Sequence, residues 1–205
     1  MNSSAEAVSL EQPESFAFTA ENLNRAEAHI AKYPAGRQAS AVLPLLWIAQ
    51  EQCGWLPRAA MDYVARMLEM APIRVYEVAT FYTMFNLRPV GRYLLQVCTT
   101  TPCWLRDSDA VVDACERKLG IGVGGTTPDR LFTLVEVECL GACVNAPILQ
   151  VNDDFYEDLD GSATEALLDA LRDGKAPSPG SVIGRQGSEP VTGRTTLLEA
   201  AGGKE

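Results

Sequence analysis

Tyr93-Leu94-Leu95-Gln96-Val97-Cys98-Thr99-Thr100-Thr101-Pro102-Cys103 is the stretch that decides the fold. A mostly apolar run reads as a strand covered on both faces, and here it leads straight into a C-x4-C segment. Leu131 to Glu138 repeats the arrangement. Thr133, Val135 and Val137 share one face of it and Leu134, Glu136 and Glu138 the other, which is the period of a strand. It too ends in cysteines, Cys139-Leu140-Gly141-Ala142-Cys143, spaced C-x3-C. If the two strands are parallel neighbours, both cysteine segments leave the same carboxyl edge of the sheet, where open α/β sheets keep their ligand sites. Four thiolates then converge without a distant loop having to reach them.

Working outward, a helix is expected from about Leu105 to Leu119, with Val111, Ala114, Cys115 and Leu119 on one face and Gly120 as its stop. Pro147 to Val151 and Phe155-Tyr156 flank Asn152-Asp153-Asp154, a hairpin signal. Ser162-Ala163-Thr164-Glu165 reads as a capping box opening a helix that ends at Gly174. The order β-α-β-β-α makes residues 91–173 an α/β domain. Thirteen of the last 32 residues are Gly, Pro or Ser, so residues 174–205 read as an extended tail without a core.

Upstream the pattern is helical. Thr19 caps a segment running to about Lys32, with Glu21 in its first turn. A second helix spans about Ala39 to Cys53 and stops at Gly54; Pro44 fits only near its first turn, where a missing N–H costs little. A third begins with Pro57 as its first residue and carries Ala60, Tyr63, Val64, Met67 and Leu68 at helical spacing. A fourth begins at Pro72 and carries Val75, Val78, Ala79 and Tyr82. Residues 19–90 form a small helical bundle, and the polar residues 1–18 a flexible arm. The expected fold is therefore an α+β chain in two parts, a helical bundle followed by an α/β domain and a tail.

Composition excludes several functions. The chain has 205 residues, 47% hydrophobic and 21% charged, which rules out collagen-like, fully disordered and disulfide-miniprotein classes. Its net charge of -10 is concentrated in residues 91–173, where six Lys/Arg face fifteen Asp/Glu; residues 19–90 hold seven against six. With an acidic middle and no basic stripe, the charge disfavours nucleic acid and anionic lipid as partners, because phosphate recognition needs clustered cations. No apolar run approaches the roughly 18 residues that span a bilayer. Met1 to Glu6 has neither a basic nor an apolar targeting segment, so the expectation is a protein kept in a bacterial cytosol. Six cysteines there point to metal or redox chemistry before disulfides.

A single zinc ion is usually held by tight C-x2-C knuckles, and both segments here are wider. A pair of irons bridged by sulfides is larger and tolerates the wider spacing. Spacing thus favours [2Fe–2S] over zinc and leaves zinc open. Disulfide exchange is weaker, since no C-x-x-C pair exists. His29 is the only histidine, so ligation by two histidines is excluded by count. Cys53, at a helix end, and Cys115, on an apolar helix face, read as structural. Met61, Met67, Met70 and Tyr63 read as core or an oily contact surface, and Trp47 and Trp55 as core anchors. Asp153, Asp154, Glu157 and Asp158 read as a solvated turn and strand end rather than a cation site. The glycine-rich Gly120 to Gly125 follows a helix instead of a strand, so it reads as a loop and not a dinucleotide fingerprint.

Val97 to Cys103, paired with Val137-Glu138-Cys139-Leu140-Gly141-Ala142-Cys143-Val144-Asn145-Ala146-Pro147, resembles the thioredoxin-like [2Fe–2S] ferredoxin family. The likeness is nearest to that family's peripheral-arm members in NADH:quinone oxidoreductase, respiratory complex I. Gly36 to Trp47 and Val78 to Phe85 are similar as well, so the resemblance covers roughly residues 16–175. It implies a thioredoxin-like α/β domain and one [2Fe–2S] cluster held by Cys98, Cys103, Cys139 and Cys143, with no catalytic residue. It implies electron transfer beside a flavoprotein subunit that binds NADH and FMN, among other peripheral-arm subunits. The implied location is the cytoplasmic face of the bacterial inner membrane, without insertion. The same resemblance leaves an equivalent subunit of an NAD-linked hydrogenase or formate dehydrogenase as the alternative, and weighs against a zinc-binding module.

Overall fold

In the computed structural model, which describes residues 12–186 together with Thr192 and Thr196, the two cysteine-terminated segments are adjacent parallel strands. β1 (Tyr93–Cys98) pairs with β2 (Phe132–Val137) from Tyr93 opposite Phe132 to Cys98 opposite Val137. β3 (Leu149–Val151) runs antiparallel along the other side of β1, and β4 (Asp154–Glu157) antiparallel to β3. The turn between them is Asn152-Asp153, with Asn152 at φ 53°, a conformation Asn tolerates well. Asn152 also extends the β1 edge: its side chain accepts from Leu94 N–H at 2.9 Å and donates to the Arg92 carbonyl at 3.1 Å. A short β5 (Gly180–Ser181), drawn from the tail, lies parallel to β4 and completes the order β2-β1-β3-β4-β5.

The helix expected after β1 is split. α5 (Thr101–Leu105) is a short helix carrying Cys103, and α6 (Ser108–Leu119) follows after Asp107, which sits at φ 69°. Gly120 ends α6 as expected, at φ 67°. α7 (Gly161–Arg172) packs on α6, and the pair covers the sheet face that carries Leu95, Val97, Phe132 and Leu134. Leu94 and Gln96, on the opposite face, are only half-buried, so β1 is fully covered on one face and not on both. The α7 cap lies two residues before Ser162: the Asp160 carboxylate accepts from Ala163 N–H at 2.7 Å and from the Ser162 hydroxyl at 2.8 Å. An ionised carboxylate is the stronger acceptor and suits the positive end of the helix dipole, which is why it displaces the serine.

The chain divides into two compact units between Val90 and Gly91. In the first, α1 (Ala20–Ile30) is capped by Thr19, whose hydroxyl accepts from Asn22 N–H at 3.2 Å. A 3-10 turn, Gln38–Ala41, feeds α2 (Val42–Cys53), so Pro44 falls in the first turn and Gly54, at φ 78°, ends the helix. α3 (Arg58–Met67) starts one residue later than expected, because Pro57 is extended and occupies the cap position. α4 (Pro72–Phe81) has Pro72 in its first turn, and Tyr82 lies just beyond its end. Leu45, Leu46, Ala60, Val64, Leu68 and Val75 form the buried centre of this unit. Trp47, Met61, Met67, Met70 and Tyr63 rim that centre, half-buried; Trp55 is half-buried and stands apart from it. Residues 1–11 of the expected arm lie outside the described residues, but its end is packed: Phe16 and Phe18 meet the Tyr63 ring edge-on at 5.5 and 5.4 Å.

Asp160→Ala is expected to lower the unfolding free energy by about 1 kcal/mol, and Ser162→Ala by much less, in urea titrations at pH 7. The Ala163 N–H and the Ser162 hydroxyl hold the charged form of Asp160, so its carboxyl titrates below the ordinary value. Its contribution is therefore present above about pH 4 and disappears as pH falls through the lowered folded value. The gap between wild type and variant should close in acid.

Candidate metal centre

Cys98 is the last residue of β1, and its N–H donates to the Ile148 carbonyl at 3.1 Å. Cys103 sits on the short helix α5, buried. Cys139 and Cys143 follow β2, and their sulfurs lie 3.4 Å apart. Cys98 and Cys103 contact each other through their thiols, and Cys98 is electrostatically coupled to both Cys139 and Cys143. The parallel register thus brings all four cysteines to one edge as two pairs, one from each segment. Among the described residues, no three His, Cys, Asp or Glu side chains close around a single-ion position.

The pairs differ in exposure. Cys98 and Cys103 are each 1% exposed and pack with Ala146 and Ile148, with Leu140, Ala142 and Phe155 around them. Cys139 is exposed and Cys143 half-buried. Trp104, Leu105 and Val144 stand exposed within two residues of Cys103 or Cys143. Burial pushes the Cys98 thiol up, but the Thr100 hydroxyl at 3.4 Å and the N–H groups of Leu140 and Thr100 outweigh it, so it titrates below an ordinary thiol. Burial and the neighbouring Cys98 push Cys103 up to about 12, against a donor from the Ile148 backbone. The Gly141 N–H at 3.4 Å, followed by the Cys143 thiol, lowers Cys139, and Cys139 in turn raises Cys143. Thr100 also reaches Cys139, so one hydroxyl bridges the two segments. Gly141 supplies its N–H from φ 84°, a left-handed conformation that a side chain disfavours by roughly 1–2 kcal/mol.

The chemistry of this set suits a soft metal centre held by thiolates. Thiolates bind soft metal, and N–H and O–H groups aimed at sulfur spread the negative charge of the bound form. A family model described as thioredoxin-like [2Fe–2S] ferredoxin matches residues 26–172, more than half of the sequence. The chain belongs to that family. This ferredoxin is 59% identical over 158 residues to an NADH-quinone oxidoreductase subunit of Rickettsia bellii, covering 77% of this chain and 95% of that one. It is 53% identical over 185 residues to the mitochondrial NADH dehydrogenase [ubiquinone] flavoprotein 2 of Dictyostelium discoideum, covering 90% of this chain and 75% of the other. An NAD+-reducing [NiFe]-hydrogenase chain superposes with a TM-score of 0.57 at 20% identity. That match covers 63% of this ferredoxin and 23% of the much longer hydrogenase chain, and at such identity it is a likeness of fold.

The remaining candidates fall elsewhere. Cys115 is fully buried on α6 and pushed up to about 12 by that burial. Cys53 closes α2 in the helical unit, half-buried, its thiol raised by burial. His29 is half-buried on α1, with Lys32 Nζ 3.3 Å from its Nδ1. Thr100 serves sulfur through its hydroxyl, whereas the Thr99 hydroxyl donates to Glu136 across the strands. Gly124 and Gly125 hydrogen-bond to Leu134 along the outer edge of β2, which accounts for the glycine-rich loop. Asp158 and Glu157 are not solvated as expected. The Asp158 side chain is 7% exposed and paired with Arg185, and Glu157 accepts from Asn145 at 2.6 Å. The donors from Leu140 and Ile148 had no signal in the sequence, because any residue's backbone serves.

In the metal-free chain at neutral pH, maleimide is expected to label Cys139 first and Cys103 and Cys115 last. Exposure and a lowered pKa act together at Cys139, and both oppose labelling at the other two. Mass mapping of partially labelled protein reads the order.

Proposed function

We propose that this chain is an electron-transfer subunit of NADH:quinone oxidoreductase, carrying one [2Fe–2S] cluster on Cys98, Cys103, Cys139 and Cys143. The observation that carries the reading is the pairing of four thiols at one sheet edge, ringed by backbone and hydroxyl donors. Each pair comes from one short segment, which suits a two-iron centre with two thiolates on each iron. When bound, the cluster supplies a site that takes up and gives back one electron at a time. Cys98 and Cys103 form its dry side, where Ala146 and Ile148 exclude water. Gly141, Leu140 and Thr100 give donors that favour thiolate over thiol at Cys139 and Cys98.

The relatives at about 60% identity, named as NADH-quinone oxidoreductase subunits, support assigning this chain to that complex. They favour it over the hydrogenase alternative, which rests on fold alone. The chain's partner is a flavoprotein subunit bearing FMN and oxidising NADH. A hydride is a two-electron carrier, so a flavin has to stand between it and a one-electron centre. The chain works at the cytoplasmic side of the membrane as a peripheral subunit; no helix among the described residues is long and apolar enough to cross a bilayer. Residues 19–90 serve docking and packing, residues 91–173 hold the cluster, and residues 174–205 are the tail.

Changing any one of Cys98, Cys103, Cys139 or Cys143 to Ala should abolish or distort the reduced-state EPR signal of the reconstituted chain. Cys53→Ser and Cys115→Ser should leave that signal intact. A zinc-only protein, colourless and EPR-silent after anaerobic reconstitution with iron and sulfide, would overturn the reading.

The isolated, cluster-loaded chain should be reduced by dithionite but not by NADH until the FMN-bearing partner is added. Anaerobic visible spectra follow this directly. Bleaching by NADH alone would reveal a nicotinamide site on this chain.

A further inference from the structure

The tail does more than trail from α7. Tyr156 donates its hydroxyl to the Pro177 carbonyl at 3.0 Å, and β5 then pairs with β4. A tight turn follows, closed by the Gly184 N–H on the Ser181 carbonyl at 3.1 Å, and it delivers Arg185 back toward the sheet. The guanidinium forks onto one carboxylate. Nη2 donates to Asp158 Oδ1 at 2.7 Å and Nε to Asp158 Oδ2 at 3.1 Å. The two side chains are only 12% and 7% exposed, although Arg185 comes from a mostly exposed tail. Ser181 reinforces the pair, donating to Asp158 Oδ2 at 2.6 Å and accepting from the Arg185 N–H at 3.2 Å.

The same Nη2 also donates to the Val144 carbonyl at 3.0 Å. Val144 is the middle residue of the 3-10 turn Cys143–Asn145. The next residue, Asn145, is held from the same side. Its carbonyl accepts from the Asp158 N–H at 2.7 Å, and its amide donates to Glu157 at 2.6 Å. The turn that carries Cys143 is thus anchored by residues 157–158 and by Arg185.

We infer that Arg185, with Asp158 as its counter-charge, is a positioning residue that sets the Cys143 turn and so the stance of the Cys139–Cys143 thiol pair. The inference rests on the reading of those cysteines as cluster ligands. Arginine suits the task because its planar fork binds a carboxylate with two bonds and has a further N–H for the carbonyl. Removing it leaves the Asp158 charge buried without its partner, a strongly unfavourable state that pulls the turn out of place. Lysine keeps the charge but cannot make the fork and the carbonyl contact together.

The test uses the full-length chain reconstituted with iron and sulfide, as wild type, Arg185→Ala, Arg185→Lys and Asp158→Asn. Arg185→Ala should lose iron to a chelator about tenfold faster than wild type, in line with other outer-sphere partners of metal ligands. It should also show shifted g values and an altered midpoint potential, while far-UV circular dichroism is unchanged. Arg185→Lys should fall between the two. If Arg185→Ala does not fold, Arg185→Lys and Asp158→Asn decide by the same three readouts. Wild-type g values, potential and iron-release rate in the folded variants would overturn this inference and leave the cluster assignment standing. A wild-type chain that takes up no [2Fe–2S] cluster would overturn both.

Discussion

The parallel pairing of β1 with β2 is the constraint on which the rest depends. Both strands point the same way, so their carboxyl ends coincide, and Cys98 stands opposite Val137, two residues before Cys139. A slip of one residue would turn Leu134 and Phe132 out of the core and swing every side chain of β2 to the opposite face. The core against α6 and α7 thus polices the register, and through the register it sets the separation of the thiol pairs. Packing energy far from the thiols buttresses the geometry of the site.

β3 completes the enclosure. Its lead-in residue Ile148 accepts from Cys98 N–H, lies against the Cys98 and Cys103 sulfurs, and supplies a backbone donor toward Cys103. One segment therefore does three jobs that separate loops would do less rigidly. The result is an asymmetric site, with one pair dry and backed by apolar side chains and the other open to solvent. An asymmetry of this kind lets two otherwise equivalent metal positions differ in how readily they accept charge, since burial and donor number both tune such a centre.

The donors to sulfur come mostly from backbone outside the sheet ladders. Gly141 reaches Cys139 from a positive φ, and the turn Cys143–Asn145 is kept in shape by polar groups at the end of β4 and in the tail. A segment that follows the end of a strand has no ladder to hold it. Fixed bonds from elsewhere replace the ladder, and a buried arginine–carboxylate pair is a stiff way to supply them.

Much of this was legible in the sequence. Period-two and helical apolar spacing marked the strands and most helices, and cysteines at two strand ends marked the site before any contact was known. The family resemblance of Val97 to Cys103 and Val137 to Pro147 pointed to the same four residues. The misread features are of two kinds, local competition between neighbouring residues and a partner far away in the sequence. Asp160 took the cap from Ser162 because it offered a better acceptor, and Asp107 broke one expected helix into two. Asp158 looked like a solvated turn because its counter-charge, Arg185, lies 27 positions away in a Gly- and Pro-rich tail. The sequence by itself determined most of the elements and the two cysteine segments that follow the paired strands, since spacing and residue type act locally. Only the tertiary structure decided how the thiols pair, which of them are dry and what clamps their turn, because those depend on groups that become neighbours only when the chain folds.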